Sequence, residues 1–322
     1  MRRIVRVVVA THGHCFDGLS SAVLFTHLYQ AVRGSAEFHY RACGYGIGQN
    51  APDERLLDGE DNAILDFRFS PSSRLSWYFD HHRTAFASDE DRAIFVERSQ
   101  ADPFFFDPAY SSCTKLVRDV AKERFAVESP LLTELVEWAD VVDSARFSSA
   151  EQAINRSDPV KRLVSVVEHY GDDKFMNQLA PELLSRGLVD VASSESIQER
   201  YAPLGAKHEG FIQKVREKGE RLGRVVFVDL THGVLDMVAK FVTYALFPDS
   251  VYSVIVGRLR HGTKISVGYN PWCGKPLDTD ISAICARHGG GGHPVVGGIS
   301  FRSSEVERAR SVAKDIALEL AG

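Results

Sequence analysis

Three short apolar runs near the start of the chain end in residues able to bind a divalent cation. Val5–Ala10 leads into Thr11-His12-Gly13-His14-Cys15-Phe16-Asp17-Gly18, Ala63-Ile64-Leu65 ends on Asp66, and Leu75–Phe79 closes on Asp80-His81-His82. Far downstream stands a glycine run, Gly289-Gly290-Gly291-Gly292-His293. A buried strand that ends in Asp or His delivers that side chain to the carboxyl edge of a parallel sheet, where open α/β folds bind ligands. Three such ends converging would offer carboxylate oxygens and imidazole nitrogens to one point. The pattern predicts a metal site.

The elements that would position these residues follow from periodicity. Strands are expected at Ile4–Ala10, Phe38–Cys43, Ala63–Leu65, Leu75–Phe79 and Ala93–Val96. Apolar residues at helical spacing mark Gly18–Val32, whose free amino end would point at whatever Asp17 binds. Further helices are expected at Tyr110–Phe125, Leu131–Val142, Val160–Tyr170 and Lys174–Arg186. Glu195–Leu222 reads as one long charged helix kinked at Pro203-Leu204-Gly205. Strands return at Val225–Asp229, Tyr252–Arg258 and Lys264–Tyr269, then a helix at Asp278–Arg287, a strand at Gly298–Phe301 and a closing helix at Ser304–Ala321. Strands alternating with helices in the first half argue an α/β fold with a parallel sheet.

At 322 residues two domains are the better expectation. Hydrophobic content of 44% and charged content of 25% suit a globular protein with a substantial core. A net charge of −5 argues against a protein that coats long nucleic acid, but leaves room for a small basic pocket. Five cysteines without C-x-x-C spacing suggest reduced thiols and a cytoplasmic location rather than a disulfide framework. The amino-terminal run is broken by Arg6 and reads as a first strand, not a signal peptide, and no stretch has the length of a membrane span.

Taken in order, these motifs resemble the DHH phosphoesterase superfamily over nearly the whole chain, with nano-RNase (oligoribonuclease) and cyclic-dinucleotide phosphodiesterase members as its nearest counterparts. The resemblance implies an α/β, parallel-sheet DHH domain with flanking helices at 1–190, a helical linker at 191–223 and a smaller α/β DHHA1 domain at 224–322. It makes His12, Asp17, Asp66 and His81 metal ligands, with Asp66 bridging two ions, Asp80 orienting His81, and His82 facing the phosphate. Asp140 is favoured as the ligand of a fourth motif, with Asp143 as the other candidate. Gly290, Gly291, Gly292 and His293 would hold substrate. The implied activity is hydrolysis of a nucleotide-type phosphate ester, such as a short oligoribonucleotide, a linear or cyclic dinucleotide or a phosphonucleoside, by metal-activated water with Mn2+. The alternatives are a pyrophosphate or polyphosphate hydrolase and a non-hydrolytic nucleotide-binding protein. The expected partner is a nucleotide or short oligonucleotide, with no long nucleic acid and no membrane; a homodimer is left open.

Two departures stand out. The family's first motif carries two carboxylates, whereas here Asp17 is alone and Cys15, with His14 beside it, occupies the other place. A thiolate or imidazole there would favour a softer ion, although a small Cys is commonly only packing. The family also places an Arg on the strand before the glycine loop, and Ile265–Asn270 has none. Arg258 and Arg260 are the nearest replacements, Asn270 could add a neutral hydrogen bond, and Tyr269 and Trp272 could stack a base.

Overall fold

Val7, Val8, Val9 and Ala10 are wholly buried, the mark of a strand covered on both faces. They lie in β1 (Val5–His12), which is followed by α1 (Phe16–Arg33), β2 (Ala36–Cys43), β3 (Asp61–Leu65), β4 (Trp77–Asp80), α2 (Asp89–Arg98) and β5 (Phe104–Phe106). The computed structural model describes residues 4–44, 53–235, 238–239 and 241–322. The five strands form one parallel sheet in the order β2-β1-β3-β4-β5. Its register brings three strand ends level. Thr11 lies beside Leu65, and Leu65 beside Phe79, so the next residue of each strand (His12, Asp66 and Asp80) emerges on one row at the carboxyl edge.

Ala93–Val96, expected as a strand, is the middle of α2. Ser88 caps that helix by accepting from the Asp91 N–H, Asp89, Glu90 and Asp91 fill its first turn, and Arg98 its last. Capping and charge placement outweigh four consecutive apolar residues. The fifth strand is the aromatic run Phe104–Phe106, and Phe69, Tyr78, Phe95 and Phe104 form a ring cluster between α2 and the sheet.

The chain continues with α3 (Cys113–Phe125), α4 (Thr133–Asp143), α5 (Ala150–Ile154), α6 (Pro159–Tyr170), α7 (Asp173–Arg186), α8 (Leu188–Ala192) and α9 (Glu195–Lys218). Residues 16–26 of α1 are buried without interruption, because α1 packs on β1 and against α3, α4 and α7. Among the described residues no helix is long and apolar enough to cross a membrane.

Two compact units emerge: 1–146 with 157–201, and 147–156 with 202–322. These limits differ from the expected 1–190, 191–223 and 224–322. The long helix α9 runs through Pro203 as one element and is shared between the units instead of forming a separate linker. Residues 147–156 join the second unit because the Phe147 carbonyl accepts from Trp272 Nε1 and the Ile154 carbonyl bonds His208 Nε2, both at 2.9 Å.

The second unit adds β6 (Gly219–Leu222), β7 (Val225–Val234), α10 (Val242–Leu246), β8 (Tyr252–Leu259), β9 (Gly262–Tyr269), α11 (Ile281–Arg287), β10 (Gly291–His293), β11 (Val296–Phe301) and α12 (Val306–Ala321). The expected end of the long helix, 219–222, is β6, turned onto β7 through Gly223 at φ 56°. The mixed sheet runs β10-β11-β9-β8-β7-β6, parallel only between β7 and β8. One face packs Val254, Val256, Ile265 and Ile299 against α11 and α12. The other packs Val226, Val228 and Leu230 against Phe211, Ile212 and Val215 of α9.

Candidate metal centre

Asp66 sits immediately past β3 at φ 52°, a left-handed conformation that Asp tolerates better than most residues. It is 1% exposed, and its two oxygens face different partners. Oδ2 lies 3.6 Å from Cys15 Sγ and 3.9 Å from His12 Nδ1. Oδ1 lies 3.5 Å from His81 Nε2 and 3.7 Å from His82 Nδ1. His81 Nε2 is also 3.8 Å from Asp17 Oδ2 and 3.5 Å from Asp143 Oδ2. Two donor sets therefore meet at one carboxylate, His12 and Cys15 on one side and His81 and His82 on the other, and His81 also belongs to a further set with Asp17 and Asp143.

Each ligand is held from behind. Asp17, in the first turn of α1, takes the N–H groups of Cys113 (2.7 Å) and Thr114 (2.9 Å) at the amino end of α3. The Tyr110 carbonyl lies 3.0 Å from His81 Nδ1, which leaves Nε2 turned toward the carboxylates. Asp80 is fully buried and holds His82 through Nδ1 at 2.7 Å, while Tyr78 Oη donates to its other oxygen at 3.2 Å. The expectation that Asp80 orients His81 is thus corrected: its partner is His82.

The preference for Asp140 is corrected as well. Its carboxylate accepts from Ser111 and Arg146, with Lys115 Nζ 3.6 Å away, and it belongs to that network instead of the His81 cluster. Asp143, one helical turn later in α4, faces His81. His14 lies in the β1–α1 turn at φ 53°, its N–H donating to the Gly171 carbonyl at 3.0 Å.

Buried carboxylates and imidazoles packed against one another set the electrostatics of the site. Burial, followed by the nearby Asp17, pushes the Asp66 carboxyl up to about 8. Burial also raises Asp17, despite the two amides it accepts from. Burial opposes charging of His81, yet the facing carboxylates of Asp66, Asp17 and Asp143 carry it up to about 10. His12 moves the other way, down to about 4, through burial and the neighbouring His82. Burial and then Asp66 hold the Cys15 thiol well above its usual range. Asp66 Oδ1 and His81 Nε2 are both buried without a hydrogen-bond partner. Buried polar atoms in that state are costly unless a ligand satisfies them, and a divalent cation between carboxylates and imidazoles does so. The residues present fit a metal ion.

In the second unit the expected substrate residues divide. Asn270 is 1% exposed and fully used: its Nδ2 donates to the Pro248 and Ser250 carbonyls, and its Oδ1 accepts from the Trp272 N–H. It holds a turn, with both amide protons committed to main-chain carbonyls. Trp272 is packed against Phe241 with its ring N–H bonded to Phe147. Arg258 and His293 are exposed, and neither side chain makes a hydrogen bond or ion pair among the described residues. Gly290 and Gly292 are dictated by the hairpin itself, since a Cβ would come within 2.3 Å of the Gly298 carbonyl and 2.2 Å of the Val296 carbonyl. Gly291 borders open space. The Tyr110 carbonyl and the Cys113 and Thr114 amides, which fix His81 and Asp17, could not be anticipated from sequence because main-chain groups leave no residue-type signal.

No protein-family model matches the chain, and no curated protein matches its sequence. Solved structures do match its fold. A pGpG-specific phosphodiesterase, PggH from Vibrio cholerae, is 17% identical with a TM-score of 0.69, covering 99% of this chain and 100% of that one. RecJ in complex with Mn2+ from Thermus thermophilus is 12% identical with a TM-score of 0.60, covering 98% of this chain and 52% of that one. An exopolyphosphatase-related protein from Bacteroides fragilis is 13% identical with a TM-score of 0.52, covering 99% and 94%. The fold is the α/β fold of the DHH proteins.

Proposed function

We propose that this chain, which has the DHH fold, is a divalent-metal-dependent phosphoesterase acting on a small nucleotide-type ester, with a linear dinucleotide such as pGpG as the first substrate to test. The observation that carries this reading is Asp66, buried between two donor sets with one oxygen turned to each. A carboxylate so placed is suited to bridge two ions. His12, Asp17, Asp66, His81 and Asp143 are the proposed ligands. Bound divalent ions would polarise a phosphoryl oxygen and supply a nucleophilic water near neutral pH.

The chain's own groups then have defined tasks. Asp17, gripped by two helix-terminal amides, and His81, fixed through Tyr110, hold their donor atoms without reorganisation. With Nδ1 tied to Asp80, His82 presents Nε2 as the atom able to donate to a phosphoryl oxygen. Arg258, His293 and the open Gly291 backbone are the proposed substrate residues of the second unit. The fold likeness to PggH, which spans both chains from end to end, supports a dinucleotide over a long strand. Manganese is the metal to try first, as the ion in the matched RecJ structure.

The test is hydrolysis of pGpG, pApA, a cyclic dinucleotide, short RNA and polyphosphate by protein stripped with chelator and reloaded with Mn2+. Cleavage of linear dinucleotides that chelator abolishes and Mn2+ restores is the expected result. Turnover of polyphosphate alone would reassign the substrate, and no turnover of any substrate would reassign the protein to nucleotide binding.

A further inference from the structure

We infer that Cys15 is a metal ligand, so that one of the two donor sets is a mixed thiolate, imidazole and carboxylate site that selects a softer ion than its neighbour. This deepens the proposed metal centre and rests on it. Three observations bear on it. Cys15 is the N-cap of α1 with extended backbone angles (φ −128°, ψ 130°), yet its side chain makes no capping hydrogen bond. The N-cap side chain ordinarily serves the helix's own N–H groups; here the thiol donates instead to Asp66 Oδ2 at 3.6 Å.

The second observation is the company it keeps. Donor atoms of His12, Cys15 and Asp66 lie within 4.8 Å of one another. Donors bound at roughly 2.0–2.3 Å around a tetrahedral ion stand about 3.3–3.7 Å apart, so these three need only small adjustments to close on one. The third is the burial of their shared member: Asp66 is 99% buried with its Oδ2 turned to Cys15 and His12, and a carboxylate taken that far from water is ordinarily paired or bound to a metal ion.

The surrounding turn is built to hold this placement. The Gly13 N–H bonds the Cys43 carbonyl at 2.7 Å and the His14 N–H bonds the Gly171 carbonyl, pinning the segment on both sides of the left-handed His14. On ligation the S–H bond breaks, a sulfur–metal bond forms and the thiol proton leaves to solvent. The opposite set, with Asp17, His81 and Asp143, offers only oxygen and nitrogen. Thiolate shifts preference toward zinc, iron or cobalt, whereas carboxylate-rich sites suit manganese and magnesium.

Cobalt tests this directly. Apo protein titrated with Co2+ should show a thiolate-to-cobalt charge-transfer band in the near ultraviolet, which Cys15→Ala and Cys15→Ser both lose while still binding cobalt at the other set. Cys15→Asp should also lack the band, keep full metal content, and shift the zinc-to-manganese affinity ratio by at least about tenfold toward manganese. Cobalt bound to wild type without the band, or an unchanged band in Cys15→Ala, overturns the assignment and leaves the phosphoesterase reading intact. Wild-type protein that binds no cobalt overturns the metal centre itself and Cys15 with it. The wild-type spectrum decides even where a variant fails to fold.

Discussion

Asp66 serves both donor sets, so its removal should cost more than the loss of any other single ligand. Asp66→Asn keeps the volume and removes the charge. We expect metal content to fall at both sites and activity to drop by more than the roughly 10–100-fold that disturbing an outlying support of a metal ligand costs. Metal analysis of the variant beside wild type checks this, and near-normal content would take Asp66 out of the bridge. Asp143→Asn should lose metal, whereas Asp140→Asn should retain it and lose about 1–3 kcal/mol of stability, since its contacts are to Ser111, Lys115 and Arg146. Denaturant melts together with metal content separate the two. The residues proposed for the site stand out in the sequence wherever an apolar run stops at an Asp or His. Asp140 and Asp143 were not separable that way, because they stand three apart on one helix and only the packing of α4 decides which faces His81.

The same carboxylate sets the pH behaviour. The metal-free protein holds Asp66 at about 8 against an ordinary 3.8. Its folded value is raised, so its contribution to stability is complete below pH about 4 and is lost as pH climbs through about 8. A bound cation reverses this by favouring the ionised form. Stabilisation by added Mn2+, read as the shift in melting temperature, should therefore be larger near pH 9 than near pH 6. An equal shift at both would mean that Asp66 is not titrating in the apo protein.

At the scale of elements, the site depends on how closely α1 approaches the end of β1. A Cβ on Gly18 would fall 2.3 Å from the His12 carbonyl, and Thr11 Oγ1 donates to the Gly18 carbonyl at 2.9 Å. Gly18→Ala should force the helix away, cost about 1–3 kcal/mol and weaken metal binding, because His12 and Asp17 lie on either side of the contact. Unchanged metal affinity in a destabilised variant would show that the ligands tolerate the shift. Elements whose signals agreed were readable in advance, among them β1, α1, α6 and α7. Where signals competed, apolar content misled: Ala93–Val96 is helical because its flanks are capped and charged. Asn270 misled differently, since a buried amide satisfying two carbonyls has the same sequence signature as one poised for a ligand.

At the scale of the whole molecule, the chain passes between its two units three times, after Arg146, Arg156 and Tyr201. Ile154 packs on the core of Phe211, Val215 and Val242, although the chain on both sides of its segment, 147–156, belongs to the other unit. Ile154→Ala should lower stability by about 1–3 kcal/mol, less than for a fully buried isoleucine, with metal content unchanged. Loss of metal would mean that the second core supports the first. Composition and periodicity could suggest two domains but not this threading, which depends on a ten-residue segment with no distinguishing pattern of its own.

That threading bears on the order in which the protein is made. Every proposed ligand lies between His12 and Asp143, and the unit that carries them is complete at Tyr201. During synthesis the first unit can close while residues 202–322 are still to be added. Residues 147–156 must meanwhile wait outside it, because their partners at His208 and Trp272 have not yet emerged. Closure of the first core and closure of the second are thus separable events in the making of the chain, and residues 147–156 lack their partners between the two.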